Sequence, residues 1–338
     1  MRLTIVVPCY NEEAVVELFD HRVRDSLDQL DGVEYELCYV DDGSSDSTLD
    51  RLRALRLRHS RNTRYLSFSR NFGKEAAMLA GLREATGDAV VFMDADLQHP
   101  PELIARMLDL HALGHDQVVA RRSRAGDGVA RSTFSRFYYR LVNRLVDVEL
   151  MDGMGDFRLL SRPAMDALLS LPEYNRFSKG LFAWIGFDTA TVDCPNAARE
   201  AGETKWRLGS LVNYGMDGLI SFNNRPLRVS IYAGLAMAGV AFLYAAAVVI
   251  LASVNGIDVP GYVTLLVSVA GLGGLQMVMI GLVGEYIGRI YYETKRRPHY
   301  LVKEAKPQPA ATPHHRPVRR TRCARRTPPS RTGGARAR

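Results

Sequence analysis

The chain has 338 residues, room for a catalytic domain plus an appendage, and its formal net charge of +7 is unevenly spread. Residues 295–338 hold 14 Lys/Arg against one acid, Glu304 (net +13), while the rest holds 30 basic and 36 acidic residues (net −6). The basic balance therefore belongs to the tail and is no sign of a nucleic-acid-binding body, and four cysteines without CxxC spacing exclude a zinc motif and a disulfide framework.

Met1 leads directly into the apolar run Leu3–Pro8, so no cleavable signal peptide is expected and Leu3–Val7 reads as a buried first strand. Asn11-Glu12-Glu13 then opens a helical stretch, with Asn11 in the N-cap role and acids in the first turn. Residues 35–40 form a second strand that runs into Asp41-Asp42-Gly43-Ser44, followed by a helix through about His59. A third strand, 63–68, leads through Asn71-Phe72-Gly73-Lys74 into an Ala-rich helix, and a fourth, 89–93, ends at Asp94-Ala95-Asp96-Leu97-Gln98. Strands alternating with helices of about 12 residues imply βαβ units and a mainly parallel sheet. Polar clusters then follow all four strands on the sheet's carboxyl edge, where open α/β sheets bind ligands.

Asp94 and Asp96 are the sharpest of these signals. Two carboxylates leaving a strand cannot both be desolvated and unpaired without large cost. A divalent cation resolves the conflict, since Mg²⁺ is typically held by one or two carboxylates plus substrate phosphates. Two solvated acids in a loop are the plain alternative, and only the surrounding motifs weigh against it.

A fifth strand, 116–120, enters Arg121-Arg122-Ser123-Arg124, and Gly126-Asp127-Gly128 reads as a mobile loop. Residues 134–146 and 210–222 have amphipathic spacing that suits a membrane surface, although a packed helix fits the first equally well. Residues 227–254, with Arg228 their only charge, and 262–284, with none, each exceed the ~20 residues needed to span a bilayer. Positive charge flanks the outer ends (Arg225, Arg228; Arg289, Lys295–Arg297), so the positive-inside rule places body and tail in the cytosol of a multi-pass membrane protein. The tail beyond about Lys303 lacks apolar periodicity and is expected to be disordered, with arginines suited to anionic lipid. Without aromatics to stack bases, it is not expected to bind nucleic acid.

Taken together, residues 5–13, Asp41–Ser44, Asn71–Lys74, Asp94–Gln98, Gly155–Leu160 and Lys205-Trp206, with the apolar hairpin, resemble the family-2 glycosyltransferases of GT-A fold, and within them the polyisoprenyl-phosphate glycosyltransferases of the GtrB and dolichol-phosphate mannose synthase type. The resemblance covers residues 1 to about 300 and leaves the Arg-rich tail outside. It implies a Rossmann-like α/β catalytic domain over 1–208, a juxtamembrane amphipathic helix over 209–226, two transmembrane helices within 227–290 (about 227–254 and 262–288) and a cytosolic tail over 291–338.

By resemblance, Pro8, Tyr10 and Glu12 border the base and ribose of a nucleotide-sugar, Asn11 belongs to the same donor site, and Asp41 or Asp42 bonds the base. Lys74 and Ala95 complete the donor site, and Asp96 with Asp94 and Gln98 holds Mg²⁺ or Mn²⁺ on the diphosphate. Arg122, Arg199, Lys205 and Arg207 take donor or acceptor phosphate (Arg121 and Arg124 compete with Arg122), and Asp156 matches the catalytic carboxylate. The reaction implied is inverting transfer of a hexose to polyprenyl phosphate at the cytosolic face. Glucose is favoured, with mannose and N-acetylhexosamines open, and the protein is expected to be a homo-oligomer, a tetramer being one option. A non-catalytic scaffold is the contrasting reading, but it would be expected to have lost Asp94, Asp96 or Asp156. A nucleotidyltransferase and a processive polysaccharide synthase are weaker alternatives.

Overall fold

The computed structural model describes residues 1–122, 154–194, 225–255 and 261–306. β1 (Arg2–Cys9), β2 (Glu34–Asp41), β3 (Thr63–Phe68) and β4 (Ala89–Phe92) alternate with α1 (Val16–Leu27), α2 (Thr48–Arg58) and α3 (Lys74–Glu84). α4 (Leu103–Ala112), β5 (Gln117–Arg122), β6 (Met154–Ser161), α5 (Arg162–Ser170), α6 (Ser178–Trp184) and β7 (Thr189–Cys194) follow. Two long helices, α7 (Arg225–Asn255) and α8 (Tyr262–Lys295), precede a last strand, β8 (Val302–Lys306).

The eight strands form one sheet in the order β7-β5-β6-β4-β1-β2-β3-β8. Pairings within β4-β1-β2-β3 and between β5 and β7 are parallel, while β6 and β8 run antiparallel to their neighbours. The expected mainly parallel α/β sheet is thus what forms. Side chains alternate across a strand, so Leu3, Ile5 and Val7 of β1 pack with α1, α2 and α4, while Val6 packs with α3, α5 and α6. Burial on both faces is why β1 reads as an unbroken apolar run. At Gly81 an added Cβ would lie 2.1 Å from Val6 Cγ1, so the Ala- and Gly-rich α3 approaches the sheet more closely than larger side chains allow.

Two expectations need correction. Asn11 does not cap a helix: α1 starts at Val16, and Asn11 adopts a left-handed backbone (φ 54°) inside a loop. The tail is not free of structure from Lys303 onward, because Val302–Lys306 pairs with β3 as an edge strand. This segment offers no apolar alternation. It is held instead by Glu304, which accepts from Arg53 at 2.5 Å and from the Tyr65 hydroxyl, and by Tyr300, stacked on Phe68 at 4.8 Å. The two hairpin helices, 225–255 and 262–295, contain the segments expected to span the bilayer.

Among the described residues one stretch, Gly271–Lys295, is long and apolar enough to cross a membrane (25 residues, mean hydropathy 1.2); α7 contributes a shorter apolar stretch, Ser230–Tyr244. Both helices expose large apolar side chains, including Phe242 (74%), Met277 (70%) and Val278 (69%), which water would not tolerate as a contiguous surface. The expected loop at 126–128 and the amphipathic segments 134–146 and 210–222 lie outside the described residues.

Candidate active site

Each of the first four strands hands over to a loop that contains a left-handed residue: Asn11, Gly43 (φ +67°), Gly73 (φ +99°) and Leu97 (φ 56°). Such turns let the chain fold back over the sheet's carboxyl edge, and at Leu97, a non-glycine, the conformation carries strain of the kind found at functional sites. At Gly43 an added Cβ would meet the Arg70 backbone at 2.3 Å, so the second and third loops touch main chain to main chain.

The first two loops interlock. The amide of Asn11 donates to Ser44 Oγ (2.9 Å), Ser45 N donates to Asn11 Oδ1 (2.9 Å), and Glu12 N donates to Thr48 Oγ1 (2.8 Å). Asp41 and Asp42 are both buried. Asp41 accepts from Ser44 N and Ser67 Oγ, whereas Asp42 accepts from Phe72 N (2.6 Å) and Gly73 N (2.8 Å). Burial pushes the Asp42 carboxyl above its ordinary value despite the two amides. Each of these residues therefore supports a loop, whatever else it contacts. Tyr10 stands exposed above them, with Pro8 and Glu12 half-buried.

Beyond β4 the burial alternates: Met93, Ala95 and Leu97 point inward, leaving Asp94, Asp96 and Gln98 on the open side. Asp96 Oδ1 accepts the Gln98 amide at 3.1 Å. β6 lies antiparallel beside β4, with Phe92 opposite Arg158, and this register carries Asp156 to the same edge. Lys74, the first residue of α3, joins the two strands: its Nζ lies 2.7 Å from Asp94 Oδ1 and 2.7 Å from Asp156 Oδ2. Burial depresses the ammonium pKa, but Asp94 and Asp156 more than offset it and hold the group charged. Burial likewise pushes Asp156 up, and Lys74 and Lys179 outweigh it, so this carboxyl titrates below its ordinary range.

Among the described residues no cluster of three or more His, Cys, Asp or Glu could hold a metal by itself. Asp94, Asp96 and the Gln98 amide oxygen are hard oxygen donors, too few for a closed protein cage but suited to Mg²⁺ or Mn²⁺ completed by phosphate and water. The residues present thus fit such an ion.

Of the expected phosphate ligands, Arg122 ends β5 with its backbone opposite Cys194, while Arg199, Lys205 and Arg207 lie outside the described residues. Its competitor Arg121 is committed to Asp193 at 2.8 Å. Sequence reasoning misses Lys179, whose charge acts on Asp156, and Glu75, which accepts from Ser178 N and Oγ and so ties α6 to the start of α3. It also misses His99, stacked on Phe157 at 5.1 Å with Nδ1 3.6 Å from Cys194 Sγ. Glu75 and His99 directly follow Lys74 and Gln98, so adjacency is the available signal; Lys179 has none. Cys9, Cys38 and Cys194 are buried free thiols, as the spacing implied.

Comparison with known proteins places these features in context. Residues 4–169 match glycosyl transferase family 2, and residues 225–290 match the GtrB C-terminal hairpin. A putative glycosyltransferase, CsbB, of Bacillus subtilis (strain 168) is 50% identical over 303 residues, covering 90% of this chain and 92% of that protein. The bactoprenol glucosyl transferase of Shigella phage SfX is 42% identical over 90% of this chain and 100% of its own length. A prophage bactoprenol glucosyl transferase homolog of Escherichia coli (strain K12) is 41% identical over the same shares. Among solved structures, a mannosyltransferase from Pyrobaculum calidifontis in complex with GDP-Man and Mn²⁺ superposes with TM-score 0.45 at 20% identity, covering 87% of this chain and 86% of that one.

Proposed function

Since this chain belongs to glycosyl transferase family 2 and is a glycosyltransferase carrying the GtrB C-terminal hairpin, we propose that it transfers glucose from a nucleotide-sugar to polyprenyl phosphate at the cytosolic membrane face. The observation that carries the reading is that Asp94, just past β4, and Asp156 of β6 meet on Lys74 at one sheet edge, with Asp96 on the same open side, in a chain that matches a bactoprenol glucosyl transferase along its full length.

In this reading Pro8, Tyr10, Asn11 and Glu12 border the nucleoside, with Asp41 or Asp42 at the base and Ala95 beneath the donor. Asp94 and Asp96, with Gln98, would hold Mg²⁺ or Mn²⁺, and that ion would supply charge stabilisation for a nucleoside diphosphate leaving group. Arg122, Arg199, Lys205 and Arg207 share the phosphate oxygens, arginine by bidentate contact and lysine as a point charge. A phosphate monoester has a second pKa near ~6 and is largely an oxyanion at neutral pH, so the acceptor needs no strong base. Asp156, held ionised by Lys74 and Lys179, then orients the acceptor for one in-line displacement with inversion.

A transfer assay on membranes containing the protein tests this. Labelled UDP- and GDP-sugars are offered with polyprenyl phosphate, with and without Mn²⁺ or Mg²⁺, beside Asp96→Ala. Metal-dependent transfer of glucose into the lipid phase, lost in the variant, is expected. Intact UDP binding without transfer from any donor would favour the scaffold reading, and transfer of another sugar would replace glucose. The multi-pass topology, with body and tail cytosolic, is open to protease protection of sealed vesicles. Light scattering of the solubilised protein tests the proposed homo-oligomer, which a single-protomer mass removes.

A further inference from the structure

Both oxygens of Asp94 face the Lys74 ammonium, Oδ1 at 2.7 Å and Oδ2 at 2.9 Å, while the same nitrogen reaches Asp156 Oδ2 at 2.7 Å. One lysine thus bridges acids from two neighbouring strands, in the position where a divalent cation would have to meet Asp94. The backbone around it is fixed on both sides. Phe72 and Gly73 donate to Asp42, and Glu75 is tied to Ser178. The side chain is not fixed in the same way: it is 41% exposed and ends in a compact charge on a flexible four-carbon stem. A metal ion and this ammonium repel one another and compete for the same oxygens.

We infer that Lys74 is an internal counter-ion that occupies Asp94 and Asp156 in the resting enzyme and cedes Asp94 only when a nucleoside diphosphate arrives, so that the divalent cation enters with the donor and not before it. The inference rests on the proposed role of Asp94 and Asp96 as metal ligands. A diphosphate provides both things the exchange needs: oxygens to complete the coordination of the ion, and negative charge to receive the displaced ammonium. The resting site is thereby closed to free cations without leaving Asp94 and Asp156 unpaired.

The test measures binding of Mn²⁺, by the EPR signal of the free ion, to full-length protein in detergent with and without UDP. Wild type is expected to bind Mn²⁺ weakly alone and at least tenfold more tightly with UDP. Lys74→Met and Lys74→Gln should bind Mn²⁺ alone about tenfold more tightly than wild type, the scale of two partly exposed ion pairs, and UDP should then add less. Lys74→Arg, which keeps the cation, should behave as wild type. Lys74→Gln keeps a donor for the carboxylates and is the variant to read if Lys74→Met does not fold, as judged by its melting curve. Equal Mn²⁺ affinity in wild type and the uncharged variants overturns the inference, as does wild-type binding that is equally tight without UDP; both leave the metal reading intact. No Mn²⁺ binding to wild type even with UDP removes the metal reading and the inference with it.

Discussion

Glu36, buried on β2, accepts from Thr4 Oγ1 (2.6 Å), Arg64 Nη2 (2.5 Å) and Thr86 Oγ1 (2.9 Å). Burial alone would raise its pKa, but the Thr4 hydrogen bond and the Arg64 charge hold it below its ordinary value. A carboxyl held low stabilises the fold above the unfolded-chain pKa of about 4.3 and loses that contribution as pH falls through its lower folded value. Glu36→Gln takes from the buried Arg64 its close charge partner, leaving the longer 3.7 Å pair to Glu84, and should cost about 3 kcal/mol at neutral pH. It should also flatten the loss of melting temperature on acidification; an unchanged slope would mean that Glu36 is not the group titrating. Gly43 offers a second test against Gly32. Both have positive φ, but a Cβ added at Gly32 would meet nothing within 4 Å, whereas one added at Gly43 would run into the Arg70 backbone. Gly32→Ala should therefore cost about 1 kcal/mol of strain, while Gly43→Ala should cost more and raise the donor KM by shifting the loop that carries Arg70. Similar melting temperatures and KM values for the two would show that the contact is easily relieved.

At the level of elements, β8 decides how the catalytic sheet ends. It covers β3, whose following loop leads to Lys74, and Ser69 N donates to Leu301 O at 2.9 Å. An uncovered β3 would expose a row of unpaired backbone groups. Truncation after Gln308 keeps β8 and should leave the melting temperature of the catalytic domain unchanged, whereas truncation after His299 should lower stability by about 1–3 kcal/mol and weaken UDP binding. Equal effects of both truncations would remove β8 as the stabilising element. The apolar and aromatic runs of β1 to β4 are readable because burial follows the strand period away from the sheet edge. β8 is not, because an edge strand of five residues with two lysines and a glutamate looks like solvated tail until its partner is in place.

For the whole molecule, the proposed function has the apolar helices hold the site beside the layer in which a polyprenyl chain lies. Tethering turns encounter with the lipid into a search within that layer and raises effective concentration without a new contact. A water-soluble short-chain isoprenyl phosphate should therefore show a KM about 10²-fold or more above that of the membrane-embedded acceptor, with a similar kcat and an unchanged UDP affinity. Equal KM values on a molar basis would show that the hairpin does not concentrate the acceptor.

The sequence by itself determined the alternating α/β order, the four polar loops on one sheet edge, the paired aspartates and the apolar hairpin, because each follows from local periodicity or from neighbours in the chain. Only the tertiary structure decided that Asp156 stands beside Asp94, that Lys74 joins them, that Asp41 and Asp42 brace loops and that Val302–Lys306 returns to the sheet. These depend on strand order and register between segments as much as 251 residues apart, such as Arg53 and Glu304. Charges that meet across such distances leave no period in the chain; they become partners only once the packed sheet has fixed which strands are neighbours.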